Sequence, residues 1–274
     1  MEPLILTALF WMLFVGLHVG LATRNVRAAF VARFGEAGFT ALFSVTASVF
    51  FALAVAWYAA HRFEGGPGLA LGAVPAVRWA LVAVAVAGIV LMTGGSVGYP
   101  GSPYDMIDRK ARPPRGMERI TRHPFFAGMA LFASAHALLA TRLTGTVMFA
   151  NIAALSIAGP LHQDRKLLAR LGERYARYLQ ATSAVPFAAI LAGRQRIAWR
   201  ELPVGALAAG LPIAIALRAM HDHLFDRGGT FVIVGTIGTA GLFALASLWT
   251  ARRSSSGSAT PPADLEVRAV RRAR

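Results

Sequence analysis

The chain contains no cysteine, and only 15% of its 274 residues are charged. The first absence excludes disulfides, thiolate-bound iron–sulfur clusters, Cys-ligated zinc and a cysteine nucleophile, so any metal must rest on His, Met or carboxylate. Acidic residues are scarce, 13 against 28 Lys and Arg. The sequence also has no G-x-G-x-x-G followed by an acidic residue, no P-loop, no H-E-x-x-H and no G-x-S-x-G. Soluble-type nucleotide binding and hydrolase chemistry therefore have no support.

What is abundant is apolar side chain, 56% of residues. Uncharged apolar runs of about 18 to 22 residues recur between short Arg-rich connections, long enough to cross about 30 Å of hydrocarbon as helices. Backbone groups in lipid must pair within their own segment, and these runs lack the alternation of barrel strands. The expected fold is thus all-α, a polytopic helical membrane bundle. Seven transmembrane helices are expected, over 3–22, 38–60, 76–97, 124–141, 143–162, 203–220 and 229–251. Glu2 stands where a signal peptide carries a basic n-region, so the first run reads as a retained helix. The short connection between the fourth and fifth runs predicts an antiparallel hairpin.

A net charge of +15 in a soluble protein would suggest nucleic acid, but here its placement argues otherwise. Of the 28 Lys and Arg, only Arg62, Arg78, Arg142, Arg218 and Arg227 lie outside alternate connections and the C-terminal tail. That is the positive-inside pattern, with the N-terminus outside and the C-terminus inside; the lipid bilayer, not nucleic acid, is the expected partner. The segment 253–274 is Ser, Pro, Ala and Arg without periodicity and is expected to be a disordered basic tail. Leu167, Leu168, Leu171, Tyr175 and Tyr178 recur at helical spacing, which predicts an amphipathic helix over 164–179 lying on the membrane interface.

Ionisable residues in or beside spans are costly to bury and are functional candidates. His18 lies between Gly16 and Gly20, a spacing that admits either a second helix or a flat ligand. His136 follows Gly128, Ala130, Ala133 and Ser134 and precedes Ala137, small residues that leave room for a planar cofactor. Neutral imidazoles on two helices can hold haem iron from both faces; interhelical hydrogen bonding is the plainer alternative for each. Arg122-His123-Pro124 opens the fourth run, with Pro suited to a first helical turn and the basic pair suited to an anion. His162, Asp164 and Arg165 should reach the same membrane face, where Asp164 either orients a histidine or neutralises Arg165. His221 and His223 read as solvent-facing loop residues.

In order, His18 with its basic loop, Arg122-His123-Pro124, Ala135-His136, Asp164-Arg165-Lys166-Leu167, Gly172-Glu173, Thr182-Ser183 and Pro186-Phe187-Ala188-Ala189-Ile190 with Gly193-Arg194-Gln195 form a set. Together they resemble the NnrU family, which includes plant zeta-carotene isomerase. The resemblance spans roughly Leu4 to Phe225, giving an NnrU-like membrane domain at 1–225 and an additional transmembrane helix at 226–252. It implies an enzyme that holds haem b through two histidines, matched here by His18 and His136, and isomerises a carotene double bond in a redox-dependent way. Bacterial members are linked to denitrification and nitric oxide metabolism, which implies an inner-membrane location and a lipophilic substrate or respiratory redox partner.

Two departures bear on this. Leu161-His162-Gln163 precede Asp164 where the family has a Trp and Asn-Gly, and the stretch after His136 lacks an aromatic. By depth, His18 lies about 9 Å from Arg24 while His136 lies about 20 Å from His123, so His123 and His162 stand as alternate partners for His18. A more distant similarity to isoprenylcysteine carboxyl methyltransferases implies instead an S-adenosylmethionine pocket at Arg122, His123 and 173–178. The third possibility is a non-catalytic assembly or regulatory partner of respiratory enzymes.

Overall fold

A computed structural model describes residues 2–98 and 113–256 of the chain. Every expected apolar run is helical: α1 is Glu2–Leu21, α2 Arg24–His61, α3 Pro75–Gly98, α4 Pro124–Leu139, α5 Leu143–Leu171, α8 Val204–Ala219 and α9 Asp226–Ser256. Two short helices, α6 (Glu173–Ala181) and α7 (Ala188–Leu191), lie between α5 and α8. Four segments, Glu2–Leu21, Asn25–His61, Pro75–Ser96 and Leu143–Leu171, are long and apolar enough to cross a membrane, and Pro124–Leu139 and Val204–Ala219 are shorter apolar helices. The tail expected to be disordered over 253–274 is helical in its first four residues, 253–256, where α9 continues; 257–274 and the basic stretch at 109–112 lie outside the described residues.

The apolar surface of these helices is largely turned outward. Met12, Val45, Val49, Trp79, Ile215 and Val234 are all exposed. On a chain in water such a surface would aggregate, whereas in lipid it is the solvated face.

α1 packs against α2 and α5, α3 against α4 and α8, α4 against α5, and α2 against α9. Where α1, α2 and α5 meet, Trp11, Ala54, Val55, Tyr58 and Met148 form the core, with Phe14, Phe51 and Phe149 packed on it. The Trp11 indole N–H donates to Met148 Sδ at 2.9 Å, a satisfied donor in an otherwise apolar cluster. The α4–α5 hairpin is present: Thr146 Oγ1 donates to the Ala137 carbonyl, and the preceding loop closes it through Ala70 N–H to Ala140 and Leu143 N–H to Gly66.

Three local expectations change. The basic connection after α1 is helical, and the chain bends instead at Gly35, whose φ of 71° is open to glycine, with Arg27 bonded to Glu36 across the bend. The amphipathic stretch over 164–179 is not one interfacial helix. α5 continues through Pro160 to Leu171, and the break falls at Gly172, where φ is 55°. Asp164 and Leu167 therefore belong to the long helix, buried within it, while Tyr175 and Tyr178 sit on α6.

Lastly, the small residues of α4 do not surround a void. A Cβ on Gly88 of α3 would fall 2.6 Å from the Gly128 carbonyl oxygen, and Ala133 is fully buried. They serve close contact between α3 and α4.

Candidate functional site

The polar centre of the molecule lies where Arg122, His123 and Asp164 converge. Thr121-Arg122-His123 is held extended beside the segment after α6: Arg122 N–H donates to Ser183, Thr121 Oγ1 to Ala184, and Phe187 N–H to Ile120. His123 then caps α4, with Pro124 in the first turn where no amide is missed. This delivers two basic side chains to one carboxylate on α5. Arg122 Nε donates to Asp164 Oδ2 at 2.7 Å, and His123 Nε2 contacts Asp164 Oδ1 at 2.9 Å.

A carboxylate only accepts, so His123 Nε2 carries the proton and donates. Tyr175, reaching back from α6, donates its hydroxyl to the same Oδ1 at 2.7 Å. The cluster is sealed, with side-chain exposures of 14% for Arg122, 3% for His123 and 8% for Asp164. His123 Nδ1 is left buried without a hydrogen-bond partner. Chemically this is an imidazole whose tautomer is set by a carboxylate, leaving one nitrogen as an acceptor or ligand.

The expected meeting of this pair with Asp164 is thus observed, but Asp164 binds Arg122 rather than neutralising Arg165. His162 and Arg165 turn elsewhere, lining a groove between α1 and α5. Tyr175, in the sequence only one apolar position of a stripe, is a full member of the cluster; what marked it was its spacing of eleven residues from Asp164, three helical turns interrupted by Gly172.

A second polar contact caps this end. Glu201 accepts from Arg119 Nε at 3.0 Å and from the Gly116 amide at 2.8 Å, and these bonds hold its carboxyl below the usual glutamate range.

His18 lies on α1 against Phe14 and Phe43, with Nδ1 buried and unpartnered. The flanking glycines do not mediate a close helix contact, since a Cβ on Gly16 or Gly20 meets nothing within 4 Å. His136 donates its Nδ1 proton to the Phe132 carbonyl at 2.8 Å, so the neutral ring presents Nε2 as its lone-pair nitrogen. That ring packs on Phe149, with the exposed His221 ring 6.3 Å beyond.

The two donors fit a haem by chemistry, both being neutral-capable imidazoles with a free nitrogen. They stand on different levels. Phe149 adjoins Met148, which meets Trp11, and His18 is seven residues further along α1, about 10 Å. Among the described residues no three His, Asp or Glu side chains gather as a metal site.

A family model described as NnrU protein matches residues 5–227. The chain is 28% identical over 192 residues to 15-cis-zeta-carotene isomerase, chloroplastic, of Arabidopsis thaliana, covering 67% of this chain and 50% of that protein. It is 35% identical over 82 residues to the Zea mays protein of the same name, covering 30% of this chain and 22% of the relative. The chain thus spans half or less of these relatives' length. No solved structure matches it.

Proposed function

The chain belongs to the NnrU family, and from that premise we propose a haem-b-binding membrane protein with isomerase-like, redox-linked chemistry on a lipophilic polyene. It crosses the plasma membrane seven times, with the N-terminus outside. His18 and His136 are the proposed axial ligands, with His123 or His162 as alternate partners for His18. The carotene isomerase activity for which the plant relatives are named supports the polyene substrate.

One observation carries the haem reading. The buried side-chain polar atoms without a hydrogen-bond partner, among the described residues, are all histidine nitrogens: His18 Nδ1, His123 Nδ1 and His162 Nε2. An unsatisfied polar atom in an apolar interior costs about 1–3 kcal/mol, and a ligand removes that cost. The Phe132 carbonyl holds the His136 ring as the tautomer a metal needs, and Phe14 and Phe43 shield His18 from competing water. When bound, haem would supply one-electron chemistry next to the lipid phase.

The test is the oxidised and reduced absorption spectrum of the protein purified in mild detergent from haem-supplied cells, with a pyridine haemochrome assay. Near-stoichiometric haem b in the wild type, lost in His18→Ala and His136→Ala, is expected. Full haem in both variants would overturn the ligand assignment, and none in the wild type would overturn the reading.

A second reading rests on the Arg122, His123, Asp164 and Tyr175 cluster, which is built around an imidazole with one free nitrogen. It is a methyltransferase of the isoprenylcysteine type with S-adenosylmethionine at this end. Saturable binding of that cofactor, abolished by His123→Ala, is its signature.

A further inference from the structure

A groove of about 580 Å³ runs between α1 and α5. Its floor is made by absence of side chain: a Cβ built on Gly16 or on Gly159 meets nothing within 4 Å. Val19 and Ala158 form apolar walls, and Asn151 and Arg165 mark its two ends. Fourteen residues of helix separate those ends, about 21 Å. One leaflet of hydrocarbon is about 15 Å thick, so the groove accommodates a full acyl chain and still reaches the interface.

The two ends differ in charge. Asn151 is neutral and its amide donates to the Val147 carbonyl. At the other end Arg165 is exposed, and its sequence neighbour Asp164 is engaged by Arg122. Lys166, next in sequence, reaches the Ala22 carbonyl and adds a second cation. His162 also lines the groove, and its Nε2 is buried without a partner. A hydrocarbon polyene would leave Arg165 and His162 without a counterpart. An anion on a chain would satisfy them.

We infer that this groove binds one anionic phospholipid, its acyl chain lying over Gly16 and Gly159 and its phosphate on Arg165 and His162. The site uses neither His18 nor His136, so it stands whether or not haem is held by that pair, and it excludes His162 as an alternate ligand while lipid is bound. It gives the protein a preference for anionic bilayers beyond the diffuse attraction of its Arg-rich loops.

The experiment is native mass spectrometry of the full chain in detergent, titrated separately with dioleoylphosphatidylglycerol, dioleoylphosphatidylcholine, squalene and sodium phosphate. One phosphatidylglycerol per chain is expected, at least about fivefold tighter than phosphatidylcholine, the gain of one basic contact at the interface. Arg165→Ala should abolish that preference. Gly159→Leu, or Ala158→Leu if the former melts at lower temperature than the wild type, should fill the groove and remove binding with thermal stability retained.

Equal affinity for the two phospholipids would overturn the proposal, as would unchanged binding in the variants. Displacement by squalene with no effect of Arg165→Ala would assign the groove to an uncharged isoprenoid, and displacement by phosphate alone would reduce it to a headgroup site without a chain groove; either result overturns it.

Discussion

Asp164 on α5 accepts the hydroxyl proton of Tyr175 on α6 at 2.7 Å, through the same oxygen that receives His123. The bond crosses the Gly172 break and locks α6 to the end of the long helix. With Arg122 on the other oxygen, the α5 carboxylate binds two adjacent basic residues before α4 and a phenol of α6, and so joins three chain segments.

Replacing Asp164 by Asn should therefore be severe, because it leaves the buried Arg122 charge without its counterion, a loss of about 3–5 kcal/mol. Tyr175→Phe removes one hydrogen bond to a charged group and should cost about 1.5–3 kcal/mol. Thermal melting in a fixed detergent checks both. The double variant should fall short of the sum, since Tyr175 contributes only while the carboxylate is present.

Gly172 has φ 55° and ψ −133°, with open space where a Cβ would stand. The penalty of Gly172→Ala is thus backbone strain rather than a clash, about 1–3 kcal/mol. Its fingerprint is faster amide exchange in α6 with unchanged exchange in α4. A substitution without effect on either would show that the chain turns there by other means.

The glycines of this protein divide by their surroundings. Ala at Gly88 would meet the Gly128 backbone at 2.6 Å and force α3 from α4, costing about 1–3 kcal/mol. Ala at Gly159 meets nothing and should be neutral, or stabilising by up to about 1 kcal/mol through helix propensity. The melting temperature should fall in the first variant and hold or rise in the second.

Glu201 supplies a pH dependence. Its bonds to Arg119 and the Gly116 amide lower its folded carboxyl below the unfolded value. The contact is fully present above the unfolded value, about pH 4.3, and is lost as pH falls through the lower folded one. Hydrogen exchange at the Gly116 amide should rise over that acid window and not between pH 6 and 8. Glu201→Gln should remove the acid-dependent rise.

The helices were legible because hydropathy is local. Residues 76–97 and 124–141 are apolar for long enough to need only counting, and α3 and α4 appear there within about two residues. The site was legible in part. Arg122-His123-Pro124 announces its own geometry, a cap followed by a first-turn proline, and Asp164 carried a charge too costly to leave unpaired beside an apolar run. Tyr175 was not legible as a site residue, because an aromatic on an apolar stripe looks the same whether or not its hydroxyl finds a carboxylate.

By itself the sequence determined that this chain is helical and lipid-solvated, that thiolate chemistry is absent, and that any metal must rest on His, Met or carboxylate. Only the tertiary structure decided that Gly88 and Gly128 close α3 onto α4, that Asp164 serves Arg122, His123 and Tyr175, and that Gly16 and Gly159 open a groove. The reason is range. Hydropathy and capping act over a few residues, whereas a carboxylate's choice among cations 1 and 42 residues away depends on which helices stand beside it.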